Sequence, residues 1–219
     1  MTDQLTLGLS EPEPIPEVEP LAPGAMVLRA FAVPCAATLL ADVERMTGVA
    51  PFRHLVTPGG FRMTVAMTNC GAVGWVSDTS GYRYDPVDPE SGRPWPPMPD
   101  AFVRLAKAAA ARAGFPDYSP DACLVNRYEP GARLTLHQDR NENDLEAPIV
   151  SVSLGVPATF LFGGPTRKER PRRVPLRHGD VTVWGGPARM RFHGVQPLEQ
   201  AHHPATGRLR INLTFRQTR

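Results

Sequence analysis

Hydrophobic residues recur with helical spacing in two segments of the chain. Within Pro34–Thr47, the apolar residues Leu39, Val43 and Met46 fall on one face, and a glycine follows as a stop signal. The segment Asp100–Ala113 is rich in alanine, follows a proline and also ends before a glycine. Both segments are therefore predicted to be α-helices.

From Asp121 onward the pattern changes to short apolar runs separated by Gly, Pro and Asp. The runs are ACLVNRY, RLTLHQD, IVSVSLG, ATFLFGG, RRVPLRHGD, VTVWGG, RMRFHGV and RLRINLTFR. About eight short strands without an intervening helix are typical of a sandwich, jelly roll or barrel. We predict a mainly β fold of the α+β kind. In it, two helices support a double-stranded β-helix (jelly roll) formed by residues 121–216.

Residues 51–98 are rich in Gly, Pro, Thr and aromatic residues, which indicates short strands and long turns. Such regions commonly carry binding surface, and we expect this one to cover one opening of the jelly roll. With 219 residues, 42% hydrophobic and 21% charged, the chain fits one large domain over residues 21–219.

Charge is distributed unevenly along the chain. The net charge is +2, yet residues 1–20 hold five acidic residues and no Lys or Arg. The run EPEPIPEVEP has no helical or strand period, which predicts a flexible acidic arm over residues 1–20. The rest of the chain is basic, which suits a polyanionic partner. A basic surface that serves only solubility is an equally good explanation.

Cysteine usage and hydropathy bear on the compartment. Cys35, Cys70 and Cys123 are scattered and form no CxxC motif, which favours free thiols in a reducing compartment. No apolar run approaches the ~20 residues of a membrane helix, and no signal peptide is evident. A cytoplasmic protein without a membrane partner is the expectation.

The HQD motif places an imidazole and a carboxylate two residues apart at the end of a predicted strand. In an extended chain His137 and Asp139 project from the same face, roughly 7 Å apart between Cα atoms. Such a pair can hold most of a divalent metal site, although a hydrogen-bonded His–Asp pair is the commoner use of this tripeptide.

A third ligand is needed for a metal site, and four histidines are candidates. His193 ends the alternating run RMRFHGV before a glycine, a setting like that of His137, whereas His178 precedes a turn and His202 and His203 lie in a polar loop. Two histidines and one carboxylate in an all-β domain suggest the facial triad that holds Fe(II) and leaves positions open for O₂ chemistry.

The last predicted strand, RLRINLTFR, alternates polar and apolar residues. Arg210, Asn212, Thr214 and Arg216 share one face. The strand is either a half-exposed edge strand or a wall of the jelly-roll interior that binds a small anion through its guanidinium groups. Asn126 and Tyr128, also on one strand face, could add to such an anion site.

Together these motifs resemble the AlkB family of Fe(II)/2-oxoglutarate-dependent nucleic-acid demethylases. The resemblance runs from about Leu21 to Arg216, through LVTPGG, MTVAMTNCG, PDACLVNRY, PGARLTLHQD, APIVSVSLG, HGDVTVWGG and NLTFR. It implies that Fe(II) is held by His137, Asp139 and His193, which are the catalytic centre. It also implies that the 2-oxoglutarate site is formed by Asn126, Arg127, Tyr128, Arg210, Asn212 and Arg216.

The resemblance further implies oxidative demethylation of N1-methyladenine and N3-methylcytosine in DNA, with RNA as a further substrate. O₂ and 2-oxoglutarate would be consumed, and succinate, CO₂ and formaldehyde released. Single-stranded DNA would be the preferred partner of a monomeric enzyme. Residues 51–98 would then be a nucleotide-recognition lid. The implied substrate contacts are Trp75, Tyr82, Arg83, Tyr84, Asn141 and Arg167.

Two features of the implied substrate site can each be interpreted in two ways. The run TRKERPRRVPLRHG, which includes Arg167, could bind phosphates along a nucleic-acid backbone. Alternatively, its charges could keep the exposed edge of a β-hairpin from pairing with another strand. Where the family pattern has an acidic residue two positions after the iron-binding Asp, this chain has Asn141. An amide offers no net charge to a cationic methylated base, so Glu142 or Asp144 is a candidate substitute.

Three functions remain open from the sequence. An oxidative demethylase of alkylated nucleic acid accounts for the most features. A 2-oxoglutarate oxygenase acting on a protein or small molecule would keep the triad and the arginines but leave the aromatic lid without a purpose. A non-catalytic nucleic-acid reader would have no need of a metal triad.

Overall fold

The structure, a computed structural model, describes residues 17–219. In this part of the chain there are two α-helices, α1 (Ala36–Thr47) and α2 (Asp100–Arg112). The strands in chain order are β1 (Val18–Ala22), β2 (Ala25–Leu28), β3 (Ala66–Gly71), β4 (Gly74–Asp78), β5 (Gly81–Asp85), β6 (Ala122–Tyr128), β7 (Leu134–His137), β8 (Ile149–Gly155), β9 (Ala158–Phe162), β10 (Arg172–Leu176), β11 (Val181–Trp184), β12 (His193–Val195) and β13 (Arg210–Arg216).

The predicted mainly β fold with two helices is confirmed. Both helices form where the apolar periodicity placed them, although a 3₁₀ turn at Val33–Cys35 delays the start of α1 to Ala36. Eight strands follow residue 121, one for each of the eight apolar runs. Within residues 17–219, no helix has the length and apolarity required to cross a membrane.

Two sheets form the jelly roll. The larger has seven strands in the order β1-β2-β11-β8-β13-β6-β3, and the smaller has four in the order β10-β9-β12-β7. β13 pairs with β6 on one side and β8 on the other, so it lies inside the larger sheet. All seven of its residues are buried.

Two predicted boundaries were wrong because strand pairing joins distant segments. The larger sheet recruits β1, β2 and β3, so the jelly roll is not confined to residues 121–216. The predicted arm ended at residue 20, yet β1 begins at Val18, and Glu19 accepts hydrogen bonds from Arg29 and Arg172. The rest of the predicted arm, residues 1–16, lies outside the described residues.

The larger sheet separates two apolar cores. On its outer face, α1 and α2 cover apolar side chains such as Leu213 and Phe215, and Phe102 of α2 meets Phe215 edge-on at 5.7 Å between ring centroids. On its inner face, Leu124, Phe160 and other apolar residues fill part of the space between the sheets. The alternation along β13 therefore directs its apolar residues to the helices and its polar residues to the interior.

Within residues 51–98, β3 belongs to the larger sheet. The remaining part contains the hairpin β4–β5 and long turns. A buried ion pair holds these turns: Arg53 contacts both carboxylate oxygens of Asp88, at 2.5 and 2.8 Å. Asp88 also accepts a hydrogen bond from Ser91 at 2.7 Å.

This ion pair predicts a pH dependence of stability. Burial opposes the charge on Asp88, but the hydrogen bonds from Arg53, Ser91 and Glu90 N–H outweigh it and lower its pKa to about 2. Because the folded-state pKa is depressed, the stabilisation is complete above the ordinary pKa near 3.8 and is lost as the pH falls through 2. The stability difference between the wild type and Asp88→Asn should therefore shrink between pH 5 and pH 2.5.

Urea unfolding at these two pH values measures the difference. Asp117→Asn is the matched control, because Asp117 is exposed and forms no ion pair with residues 17–219. If the difference in unfolding free energy between the wild type and Asp88→Asn stayed constant with pH, the lowered pKa of Asp88 would be contradicted.

Candidate active site

The three residues proposed from the HxD motif and the distal histidine converge between the two sheets. β7 and β12 run antiparallel, with His137 directly opposite His193. Their ring centroids are 4.4 Å apart, and Asp139 follows the end of β7. The Nε2 atoms of His137 and His193 lie 3.6 and 3.8 Å from the Asp139 carboxylate oxygens. One ligand atom from each residue falls within 4.8 Å of the others.

Backbone hydrogen bonds set the histidine tautomers for metal binding. Nδ1 of His137 lies 2.8 Å from the carbonyl oxygen of Thr135, and Nδ1 of His193 lies 3.1 Å from that of Arg191. Since a carbonyl oxygen can only accept, both Nδ1 atoms carry the proton. The Nε2 lone pairs are then free and face Asp139, the arrangement expected of metal-binding histidines.

Electrostatics favour the ligating states of His193 and Asp139. Burial and the neighbouring His137 lower the pKa of His193 to about 4, so this imidazole is neutral near pH 7. Burial opposes the charge on Asp139, but Arg216 and the two histidines hold its pKa well below the ordinary value. Two imidazoles and one carboxylate fit Fe(II) and leave part of its coordination sphere open.

A buried network of charges holds the chain beyond Asp139. Arg216 donates to the Asp139 carboxylate at 2.6 and 3.1 Å and lies 3.2 Å from Glu142. Arg189 donates to Glu142 at 2.9 Å and to the backbone oxygen of Asp139 at 2.7 Å. Tyr84 of β5 donates to the same Glu142 carboxylate. The network connects the hairpin β4–β5 to the backbone that carries Asp139.

The three proposed ligands line a cavity of about 680 Å³ between the sheets. The polar face of β13 forms one of its walls, which decides between the two alternatives for this strand: it is an interior wall and not an edge. Buried side chains around the cavity also include Leu124, Phe160 and Trp184. The predicted 2-oxoglutarate residues that line it are Asn126, Tyr128, Arg210, Asn212 and Arg216.

Arg210 carries unused donors inside this cavity. It is 2% exposed, and its Nη2 donates to Ser153 Oγ at 3.0 Å, while Nε and Nη1 have no hydrogen-bond partner among residues 17–219 and the guanidinium lies 4.8 Å from the centre of the Tyr128 ring. Asn126 Oδ1 is likewise buried without a partner in this part of the chain. Burial lowers the pKa of Arg210, which shows the cost of keeping this charge out of water. A small dicarboxylate fits a buried guanidinium with free N–H groups.

Arg127 does not belong with this set, contrary to the expectation from the resemblance. It lies between Asn126 and Tyr128 on β6, so its side chain points to the opposite face of the sheet. There its guanidinium lies 4.9 Å from the centre of the Phe52 ring and pairs with Glu129 at 3.4 Å. The structure therefore removes Arg127 from the proposed 2-oxoglutarate residues.

The residues predicted to contact substrate on β4 and β5 separate into two groups. Trp75 and Tyr82 both line the cavity, with parallel rings 5.6 Å apart at an interplanar angle of 15°. Tyr84 does not line the cavity and donates to Glu142. Arg83 points to the other face of the hairpin and pairs with Asp78 at 2.8 Å. Only Trp75 and Tyr82 are therefore placed to stack on a ligand.

Asn141 lines the cavity, but neither acidic neighbour replaces a charge there. Glu142 is held by Arg189, Arg216 and Tyr84, and Asp144 accepts hydrogen bonds from the backbone of Glu146 and Ala147. The expectation that Glu142 or Asp144 could substitute for the missing acid is therefore not supported by the structure.

The basic run divides between structural and free side chains. Arg172 pairs with Glu19, and Arg173 donates to Gln196. Arg167, Lys168 and Arg170 are exposed in the loop between β9 and β10 and do not line the cavity. That loop begins after Phe162, which pairs with His193 across the sheet, so it emerges beside the proposed metal site.

Sequence reasoning missed the role of Arg189. This residue is 1% exposed and organises the backbone from Asp139 to Ala147 through three hydrogen bonds. It follows a 3₁₀ turn at Gly186–Ala188 and belongs to no strand, so no periodic pattern marks it as buried. The only signal in the sequence was its position four residues before His193.

Comparison with known protein families defines the class to which this fold and site belong. Residues 24–216 match the family model of the 2OG-Fe(II) oxygenase superfamily, and the chain belongs to this family. It is accordingly an Fe(II)- and 2-oxoglutarate-dependent dioxygenase that uses O₂.

The chain is similar to particular members of this family. It is 55% identical over 202 residues to the alpha-ketoglutarate-dependent dioxygenase AlkB of Escherichia coli (strain K12), covering 92% of this chain and 94% of that protein. It is 32% identical to the DNA N(6)-methyladenine demethylase ALKBH1D of Arabidopsis thaliana, covering 90% and 50% of the two chains. The solved structure of OsALKBH1 superposes with a TM-score of 0.82 at 28% identity, covering 92% of this chain and all of that one. The resemblance to the AlkB family is confirmed.

Proposed function

We propose that this protein is an oxidative demethylase of alkylated nucleic acid, acting on N1-methyladenine and N3-methylcytosine in DNA and, as a further substrate, RNA. The observation that carries the proposal is one cavity that contains a His–Asp–His group, an arginine with free donors and a pair of stacked aromatic rings at its lining. The names of the similar proteins from E. coli and A. thaliana support the same chemistry.

Each part of the cavity then has a task. His137, Asp139 and His193 would hold Fe(II), and Arg210, with Asn126 and Tyr128 beside it, would hold 2-oxoglutarate. When bound, this centre would supply the hydroxylation of a C–H bond by O₂, coupled to the conversion of 2-oxoglutarate to succinate and CO₂. Hydroxylation of an N-methyl group gives a hemiaminal, which releases formaldehyde and the unmodified base. The enclosing sheets position the methyl carbon and exclude water.

The substrate base has to leave its stack to enter a cavity between two sheets. Extrusion costs a few kcal/mol and is cheapest from a single strand or a damaged pair. Trp75 and Tyr82 would offset part of this cost, because stacking on an aromatic side chain contributes about 1–3 kcal/mol per base. We therefore propose single-stranded DNA as the preferred substrate of a monomeric, cytoplasmic enzyme, with Arg167 among its phosphate contacts and Asn141 beside the base.

The deciding test uses two oligonucleotides, one with N1-methyladenine and one with N3-methylcytosine. Each is incubated with protein, Fe(II), ascorbate and 2-oxoglutarate, and mass spectrometry follows the methyl group. Loss of the methyl mass that requires 2-oxoglutarate is the expected result. Succinate formation without any change in the oligonucleotides, including methylated RNA, would transfer the activity to a protein or small molecule. Binding of the oligonucleotides without succinate formation would favour a reader.

A further inference from the structure

Two histidines outside the active site are stacked on each other. His178 lies in the turn before β11, and His203 lies in the loop that leads to β13. Their ring centroids are 4.3 Å apart, and the ring planes are inclined by 19°. Both side chains are half-buried, and neither lines the cavity between the sheets. This stack, here called the histidine pair, has no task in the proposed reaction.

Backbone hydrogen bonds fix the same tautomer in both rings. Gly155 N–H donates to Nδ1 of His178 at 3.0 Å. Ala205 N–H donates to Nδ1 of His203 at 3.2 Å. Since each Nδ1 accepts, the neutral rings carry their proton on Nε2, the reverse of the arrangement in the two proposed metal-binding histidines. The histidine pair therefore offers no Nε2 lone pair to a metal ion.

The histidine pair joins the two segments that flank Arg210. Gly155, at the end of β8, pairs directly with Arg210 across the larger sheet. The carbonyl oxygen of Leu209 accepts hydrogen bonds from Val156 N–H at 3.1 Å and from Thr206 Oγ1 at 2.7 Å. One histidine of the pair holds Gly155, and the other belongs to the loop that ends at Leu209. The pair thus supports the start of β13 from both of its neighbours.

A protonated imidazole cannot keep these contacts. Imidazolium carries a proton on both ring nitrogens, so Nδ1 of His178 would direct an N–H at the Gly155 N–H. The amide of Gly155, a buried residue, would then lose its acceptor, which costs free energy. A charge on both stacked rings would add repulsion between them. The contacts of the pair therefore require neutral rings.

The surroundings of His178 do not stabilise a positive charge on it. Asp180, on the same turn, is already paired with Arg29 at 2.6 Å and accepts a hydrogen bond from Arg177 N–H at 2.9 Å. The other titratable or charged groups on the neighbouring segments are Cys35 in the 3₁₀ turn and His202, His203 and Arg208 in the loop before β13. Burial and then His203 lower the pKa of His178 from its ordinary value of 6.5, and no carboxylate among residues 17–219 opposes this.

We propose that the histidine pair makes the 2-oxoglutarate site sensitive to pH. At neutral pH the pair holds Gly155 against the loop before β13 and keeps Arg210 in place. In acid the pair opens, the start of β13 loosens, and the affinity for 2-oxoglutarate falls. The inference rests on the proposed role of Arg210, and it adds regulation of that site from outside the cavity.

The test replaces the titrating acceptor by one that does not titrate. In His178→Asn, the amide oxygen can accept from Gly155 N–H in place of Nδ1 at every pH. The KM for 2-oxoglutarate is measured at pH 8 and pH 5.5 with Fe(II) and a methylated oligonucleotide. The ratio of the wild-type KM to that of His178→Asn should be near one at pH 8. It should rise about 2- to 10-fold at pH 5.5, the range expected from the loss of one hydrogen bond.

Two further variants complete the comparison. His202→Asn removes an exposed imidazole next to the pair, and its KM should follow that of the wild type at both pH values. His178→Leu removes the acceptor altogether, so its KM should be raised at pH 8 as well. Protonation of the proposed metal ligands affects all variants alike and cancels in the ratios. A ratio for His178→Asn that stays constant with pH would overturn the proposal.

Two readouts do not depend on turnover. Because the folded-state pKa of His178 is lowered, the unfolded chain binds more protons, and stability falls as the pH drops below 6.5. Between pH 7.5 and pH 5.5 the wild type should therefore lose more free energy of unfolding than His178→Asn. The NMR resonance of the Gly155 amide should shift over the same range in the wild type only.

These readouts separate this inference from the proposed function. A Gly155 amide that does not respond to pH would contradict the histidine pair while leaving the demethylase intact. The expected NMR and unfolding results, without demethylation of any oligonucleotide, would support the pair and reject the proposed reaction.

Discussion

Replacing His137 by alanine is expected to reduce 2-oxoglutarate turnover by more than about 100-fold, the upper range seen when only the partners of metal ligands are lost. His137 supplies one of three converging ligand atoms, and its Nδ1–H···O bond to Thr135 keeps Nε2 free for the metal. Its side chain is 39% exposed, so its removal should change the free energy of unfolding little. Succinate formation with Fe(II) and 2-oxoglutarate measures the loss.

A binding readout separates loss of metal from loss of fold. A ligand that binds only the folded state at 100 times its Kd adds about 2.7 kcal/mol of stability. Fe(II), or Mn(II) as a redox-stable substitute, should therefore raise the unfolding midpoint of the wild type and leave that of His137→Ala unchanged. His202→Ala, which removes an exposed imidazole from a loop, should behave as the wild type. Normal turnover by His137→Ala would refute the metal site.

Replacing Arg210 by methionine should change function and stability in opposite directions. Nε and Nη1 of this buried guanidinium have no hydrogen-bond partner among residues 17–219, so the apoprotein carries a desolvated charge that only the Tyr128 ring and Ser153 partly compensate. Replacing a buried ion pair by apolar residues of similar volume often stabilises a protein by about 1–4 kcal/mol, and we expect a gain on that scale for this buried charge. The affinity for 2-oxoglutarate should fall by about 30-fold or more, since truncating one member of a buried charge pair costs at least about 2 kcal/mol.

Two measurements test this prediction. Urea unfolding of the apoprotein gives the change in stability, and the KM for 2-oxoglutarate reports the lost contact. Arg127→Met is the matched control, because Arg127 lies on the other face of the same sheet, over Phe52. If Arg127→Met and not Arg210→Met raised the KM, the placement of the cosubstrate would be wrong. A less stable Arg210→Met apoprotein would show that the guanidinium is compensated after all.

The opposite effects expected of Arg210→Met on apoprotein stability and on 2-oxoglutarate affinity have a simple physical cause. A protein that binds an anionic cosubstrate between two sheets has to bury the complementary cation before the cosubstrate arrives. Stability is given up in the apoprotein and regained on binding, a trade common at functional sites. Arg216 differs, because Asp139 and Glu142 already neutralise it, and they raise its pKa although burial opposes this.

Local pattern was sufficient for both helices and for the strands after residue 121. The periodicity around Leu39 and Met46 predicted α1, and eight alternating or apolar runs predicted the eight strands after residue 121. The period of a strand also placed His137 and Asp139 on a common side. These are properties of neighbouring residues, which the sequence states directly, and the family motifs then supplied the iron and the cosubstrate.

Pairing between distant strands decided the rest. The alternation in β13 was equally compatible with an edge and an interior wall, and only its position between β6 and β8 made it a wall. The same sheet directed Arg127 to the helix side and recruited β1, β2 and β3. Arg189 and Glu142, 47 residues apart, meet only because the fold closes around Asp139. The sequence by itself determined both helices, the strands after residue 121 and the motif that carries the chemistry. Tertiary structure decided which face is inside, because burial depends on packing between segments far apart in the chain.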